Sequence, residues 1–266
     1  MALHLLSSPP PSNMTATQLN FSKLSLPEYA GSYAVVIDNV LSPAECQAWI
    51  DASEATTEPK GTWERAMVNI GGGQQKMIED IRNCGRIIWD SQDMVNRLWS
   101  RISTVPEVEM ITKLKNMPHV TGQGPAKRGE VWRFTRPNER MRFLKYVGGE
   151  YFRPHCDGVY STPDGGERSF YTLHLYLNGR TLDDNTELVG GATRFHSWDE
   201  TRFYDVDPRP GRVLLFQHRG LFHSGEDVTQ GVKYTMRTDL MFAFDKMEPP
   251  TQIERIVQKL KQEPHK

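Results

Sequence analysis

Cysteine is scarce in this chain: Cys46, Cys84 and Cys156 are the three among 266 residues. Three thiols build no disulfide framework and no CxxC pair offers a zinc site, which suits a reducing compartment. A basic excess is also missing. Lys and Arg number 32 against 33 Asp and Glu, a formal net charge of −1 with a pI near 6.7, so no bulk field recruits nucleic acid or an anionic membrane. No apolar run approaches the length that crosses a bilayer. The opening residues MALHLLSSPPPSNM have neither a positively charged n-region nor an adequate apolar stretch, and read as no secretory signal. These absences argue against a secreted disulfide scaffold, a membrane protein and a nucleic-acid binder, and the expected location is the cytoplasm.

What is present is a β-rich chain of a length that one domain can hold. Residues 1–25, with the proline run of SSPPPS, read as a flexible arm because they carry little to bury. Residues 26–266 read as one domain. Tyr33 to Asp38 is expected as a strand, and Ser42-Pro43-Ala44-Glu45 supplies an N-cap, a proline at the first helical position and a capping-box glutamate for a helix to about residue 55. Met94, Val95, Leu98, Trp99 and Ile102 recur at helical spacing within 91–102. The glycine-rich, polar stretches 56–76 and 116–130 read as lids. From residue 130 onward, short β runs separated by glycine and proline turns suggest a sandwich or jelly roll, mainly β with flanking helices. Strands are expected at 131–135, 142–147, 151–156, 170–177, 192–196, 202–206, 211–217 and 232–244. A capping box at Thr251 to Glu254 and an apolar stripe predict a C-terminal helix over about 251–262.

The stretch that organises this pattern is YVGGEYFRPHCD, Tyr146 to Asp157. Residues two apart in a strand point the same way, so His155 and Asp157 present an imidazole and a carboxylate on one face. His223 stands 66 residues beyond Asp157, a gap that only a fold pairing distant strands closes. Two histidines and one carboxylate make a facial triad, a ligand set that suits non-haem Fe(II) and leaves positions open for a co-substrate and O2. Ten residues after His223 comes Lys233, and a cation near such a metal is what a dicarboxylate needs.

The order of five motifs resembles the prolyl 4-hydroxylase-like branch of the Fe(II)/2-oxoglutarate-dependent dioxygenases: YxxGxxFxxHxD (Tyr146 to Asp157), YTLHLYLN (Tyr171 to Asn178), GGATRF (Gly190 to Phe195), PxxGRVLLF (Pro208 to Phe216) and H-x9-K (His223, Lys233). The resemblance covers about residues 130–245. It implies a double-stranded β-helix, a jelly roll of the cupin kind. It also implies Fe(II) on His155, Asp157 and His223, with 2-oxoglutarate and O2 as co-substrates and ascorbate as reductant. The reaction implied is hydroxylation of an unactivated C–H bond, coupled to decarboxylation of 2-oxoglutarate to succinate and CO2.

Lys233 matches the family's anchor for the distal carboxylate of 2-oxoglutarate. Arg237, four residues on and on the same face, is the competing anchor, a partner for a substrate carboxylate, or one half of a buried pair with Asp239. Tyr146 matches a tyrosine that lines the 2-oxoglutarate pocket in relatives, or is a core tyrosine. Thr193 shares a face with Phe195 and is the remaining cofactor candidate. Arg133, His174 and His196 are candidates for contact with substrate, beside the structural role more usual for a histidine. The substrate expected is a small molecule such as an amino acid or natural product. Hydroxylation of prolyl residues in a peptide or protein is the alternative, and a non-enzymic metal-binding jelly roll the second alternative.

Overall fold

Period-two alternation along the central strands decides which side of each sheet faces what. The computed structural model describes residues 6–7, 9–71, 74–180 and 188–245. The strands that position the site are β1 (Thr15–Gln18), β2 (Ala34–Asp38), β3 (Gly85–Asp90), β4 (Val131–Pro137), β5 (Arg140–Tyr146), β6 (Tyr151–His155), β7 (Glu167–Tyr176), β8 (Thr193–His196), β9 (Phe203–Val206), β10 (Val213–Gln217), β11 (His223–Gly225) and β12 (Lys233–Phe244). The larger sheet has ten strands and runs β1-β2-β10-β7-β12-β5-β3 to the short strand Glu64–Arg65, with β4 paired to the far half of β12. The smaller has five and runs β9-β8-β11-β6 to Arg82–Asn83. The pairings in both are antiparallel. The fold is the jelly roll that the strand pattern anticipates.

Two apolar clusters sandwich the larger sheet. On its outer side, Val35 and Ile37 of β2, Leu173 and Leu175 of β7, Val213 and Leu215 of β10 and Met236 of β12 pack against two helices, α1 (Pro43–Glu54) and α2 (Gln92–Ile102). On its inner side, Ala34, Val36, Leu214 and Phe216 meet Phe195 and Val206 of the smaller sheet. Strands with apolar residues on both faces belong in the middle of such a stack. The helix starts behave as their sequences require. Ser42 and Glu45 form the capping box of α1, and Glu45 also pairs with Arg101 of α2 at 2.7 Å, tying the two helices together.

Two expectations need correction. Residues 1–25 are not all a flexible arm: β1 pairs with β2 in register from Thr15↔Asp38 to Gln18↔Val35, and Leu19 and Phe21 are buried in the inner cluster. A four-residue edge strand has too little pattern of its own to announce a partner that lies further along the chain. Residues 116–130 are not a lid over the site. They form two short helices, Pro118–Thr121 and Gln123–Lys127, against the turn after β10, where the amide of Gln217 donates to the His119 carbonyl at 2.9 Å. The stretch 56–76 contains the hairpin of Val68–Gly71 with Gln74–Lys76. The helix expected at 251–262 lies outside the described residues.

Phe21 tests the first correction. It meets Phe195 edge to face with ring centroids 5.3 Å apart, and Phe195 in turn stands opposite His223 on the neighbouring strand. Phe21→Ala is expected to lower the unfolding free energy by about 3–5 kcal/mol in urea titrations, as for other buried phenylalanines. A loose arm would give no change.

Candidate active site

The smaller sheet brings the two histidines together. β6 and β11 pair so that His155 stands opposite His223, with ring centroids 4.5 Å apart. The register shifts between Phe152 and His155, an irregularity of the kind that re-aims side chains beside active sites. Asp157 follows, with Oδ1 3.5 Å from His155 Nε2 and Oδ2 3.9 Å from His223 Nε2. One ligand atom from each of the three lies within 4.8 Å of the others.

The imidazoles are oriented from behind. His155 Nδ1–H donates to the Arg153 carbonyl at 2.8 Å, and His223 Nδ1–H donates to the Leu221 carbonyl at 3.0 Å. A carbonyl oxygen only accepts, so both rings carry the proton on Nδ1 and turn the Nε2 lone pair toward Asp157. His155 Nε2 is buried with no hydrogen-bond partner. Burial also pushes the His223 pKa down, to about 3, helped by His155 and opposed by Asp157, which keeps the ring neutral. Two imidazoles held from behind through Nδ1, an orphaned nitrogen and one carboxylate fit a divalent iron.

Asp157 is held by the opposite sheet. Arg237 Nη2 lies 2.9 Å from Asp157 Oδ1, and the Thr172 hydroxyl donates to Oδ2 at 2.5 Å. Burial alone would raise the pKa of this carboxyl. Arg237 first, then His223 and His155, outweigh it and hold Asp157 well below the usual carboxylate range. Behind Arg237 stands Asp239 at 3.6 Å, itself paired with Arg142 at 3.2 Å.

The two sheets enclose a cavity around these groups, and the sequence candidates divide over it. His155, Asp157, His223, Lys233, Arg237, Tyr146, Thr193 and His174 all line it. Lys233 Nζ donates to the Gly191 carbonyl at 2.6 Å and sits 4.5 Å from the centre of the Tyr146 ring. Gly191 has φ +72°, and a Cβ there would come within 3.0 Å of Lys233 Cδ, so the turn needs glycine both for its backbone and for the lysine's path. Tyr146 packs with Leu144 and Cys84 and also lines the cavity. Thr193 Oγ1 accepts from the Tyr176 hydroxyl at 2.6 Å. His174 is buried with an unpartnered Nε2. Burial, with Lys233 and Arg237 next, holds its pKa well below the ordinary value.

Two substrate candidates are misplaced. Arg133 is exposed on β4 and pairs with Asp245 at 2.7 Å. His196 lies on the opposite face of β8 from Thr193, where its Nε2 meets Ser224 Oγ at 2.7 Å. Neither lines the cavity. Alternation from Thr193 and Phe195 already turns His196 away. Thr172 and Arg82 line the cavity without having been singled out. Thr172 is two residues from His174 in YTLHLYLN and was legible from that spacing, whereas nothing in the polar sequence around Arg82 marks it.

A family profile described as the 2OG-Fe(II) oxygenase superfamily matches residues 141–238, the segment from β5 to the middle of β12 that carries every one of these ligand candidates. Over that segment, a little over a third of the chain, the protein is similar to that superfamily. Among solved structures, this chain is similar to a Trichoplax adhaerens prolyl hydroxylase in complex with a hypoxia inducible factor peptide fragment, at 16% identity over 89% of this chain and 92% of that one, TM-score 0.50. It is also similar to a Pseudomonas putida prolyl-4-hydroxylase (15% identity, 80% and 95% covered, TM-score 0.49). A third is the viral collagen prolyl hydroxylase of Paramecium Bursaria Chlorella virus-1 (19%, 80% and 97%, 0.47). At such identities the likeness concerns the fold. A search among curated proteins found no match. Among the described residues, no helix is long and apolar enough to cross a membrane.

Removing the carboxylate tests the ligand set. Asp157→Ala is expected to lose stoichiometric Fe(II) in anaerobic equilibrium dialysis, while His196→Ala keeps it. Unchanged iron content in Asp157→Ala would remove Asp157 from the site.

Proposed function

We propose that this protein is a 2-oxoglutarate-dependent non-haem iron dioxygenase that hydroxylates an unactivated C–H bond of a small molecule, with His155, Asp157 and His223 as the iron ligands and Lys233 as the anchor for the distal carboxylate of 2-oxoglutarate. The observation that carries the reading is the convergence of three ligand atoms beside a buried lysine that has no carboxylate partner among the described residues. Fe(II) with bound 2-oxoglutarate supplies the oxidising chemistry, in which O2 and the 2-oxo acid become succinate, CO2 and the oxygen atom inserted into substrate. Ascorbate serves as reductant, and the enzyme works in the cytoplasm as a single catalytic domain that begins with β1.

The protein's own residues bind and orient. The carbonyls of Arg153 and Leu221 keep the imidazoles in the Nδ1–H tautomer. Arg237 and Thr172 keep the Asp157 carboxylate ionised and fixed. Phe152, Leu144 and Phe216 line the cavity with apolar surface and limit water. Arg237 is already engaged by Asp157 and Asp239, whereas Lys233 holds only a neutral carbonyl. A buried ammonium without a counter-ion is costly, and burial lowers the Lys233 pKa to about 8 against the opposing pull of Cys84 and Glu226. A dianionic co-substrate relieves that cost. The structural neighbours are named as prolyl hydroxylases, and oxidation of a prolyl residue in a peptide is the second reading.

The Lys233 assignment has a pH signature. Only the protonated amine attracts the carboxylate, and its pKa in the free enzyme is about 8. Affinity for 2-oxoglutarate should be flat below that pH and weaken above it, by up to about tenfold per pH unit, until the higher pKa of the complex is reached. Lys233→Ala should bind 2-oxoglutarate weakly, without this dependence, and retain Fe(II). If Arg237→Ala alone weakens 2-oxoglutarate binding while Lys233→Ala behaves as wild type, the two roles are exchanged.

A further inference from the structure

Arg82 stands apart from the groups used so far. It belongs to the outermost strand of the smaller sheet, opposite Phe152 of β6, and is 8% exposed. It lines the same cavity as the metal-ligand candidates. Its Nε is buried without a hydrogen-bond partner, and no carboxylate pairs with it among the described residues. The guanidinium carbon lies 4.5 Å from the centre of the Phe152 ring, and the His155 ring stacks on Phe152 at 3.7 Å. Phe152 thus touches both groups, and the guanidinium carbon lies within about 8 Å of the centre of the His155 ring, the sum of the two distances.

Charge around the cavity is unbalanced in the same direction. Its lining holds three permanent or near-permanent cations, Arg82, Lys233 and Arg237, against the single carboxylate of Asp157. Divalent iron and the two carboxylates of 2-oxoglutarate cancel, so the excess of positive charge persists in the fully assembled site. Asp239 does not remove it, being shared between Arg237 and Arg142. A buried guanidinium without a counter-ion costs several kcal/mol, on the order of the penalty for breaking a buried ion pair. Its planar fork matches a carboxylate or a phosphate.

We propose that the primary substrate carries an oxyanion, a carboxylate or a phosphate, and that Arg82 is the side chain that receives it. The inference rests on the oxygenase reading above and narrows its substrate class. Phe152 then acts as the spacer between the anchored end of the substrate and the iron ligands, which suits a small molecule whose oxidised carbon lies a few bonds from its charged group. Lys233, deeper at 1% exposed, keeps the co-substrate.

The test is calorimetry on the protein holding Fe(II) and stoichiometric 2-oxoglutarate under argon, where no turnover occurs. Propionate, methyl phosphate and the neutral propionamide are the probes. Saturable binding of propionate or methyl phosphate, with none of propionamide, is expected, and the tighter of the two oxyanions identifies the source. Arg82→Gln should weaken that binding by about tenfold or more and retain the affinity for 2-oxoglutarate, and Arg82→Lys should restore part of the loss. Absence of saturable oxyanion binding to the wild type overturns the proposal without reference to any variant. So does equal binding to Arg82→Gln, and so does a loss of 2-oxoglutarate affinity in that variant, which would make Arg82 a co-substrate anchor. Failure of the wild type to take up Fe(II) and 2-oxoglutarate in the first step is a different result, and counts against the oxygenase site itself.

Discussion

One ion pair between the two sheets, Arg237 of β12 with Asp157 after β6, sets the conditions for the rest of the site. A carboxylate buried in a jelly-roll interior is tolerated only with a partner and satisfied lone pairs, and removing one member of such a pair typically costs about 3–5 kcal/mol. Arg237 and Thr172 provide both, from neighbouring strands of the larger sheet. The carboxylate is thereby fixed relative to the histidine pair, whose own spacing comes from the β6–β11 register. The placing of the three ligand candidates is a consequence of strand pairing, with one charge–charge contact joining the two sheets beside them.

The same pair divides labour between two cations that alternation puts on one face of one strand. Both Lys233 and Arg237 do line the cavity. What separates them is their company: Arg237 meets Asp157 from beyond the other sheet's β6 and Asp239 of its own strand, while Lys233 meets the Gly191 carbonyl and the Tyr146 ring on neighbouring β5. Spacing along a strand reveals the shared face, and the partners brought by the fold, invisible to local pattern, distinguish the two cations. The positive φ of Gly191 belongs to this arrangement, because the turn aims its carbonyl at the lysine.

Much of the fold was legible wherever a strand carried its own apolar alternation or its own caps. α1 and α2 appear within a residue or two of their expected limits, and β10 and β12 lie within theirs. β11 was invisible because His-Ser-Gly has no β-formers to alternate, although it holds a ligand candidate. β1 and the buried Phe21 were missed for a related reason: their stability comes from β2 and Phe195, far away in sequence. At the site, the triad followed from period two and one long-range guess, while Arg82 depended on an edge strand that exists only because β6 offers it a partner. Arg133 failed as a candidate because a cationic stretch on a partly exposed strand finds surface carboxylates first.

The account's central claim is that the three ligand atoms and Lys233 act together on one metal and one dicarboxylate. The most direct measurement is a crystal structure of the protein with Mn(II) in place of iron and with 2-oxoglutarate. The account predicts Mn(II) bonded to His155 Nε2, His223 Nε2 and one oxygen of Asp157, with Lys233 Nζ moved from the Gly191 carbonyl to the distal carboxylate. Metal bound elsewhere, or a 2-oxoglutarate whose distal carboxylate sits away from Lys233 while that amine still holds Gly191, would contradict it.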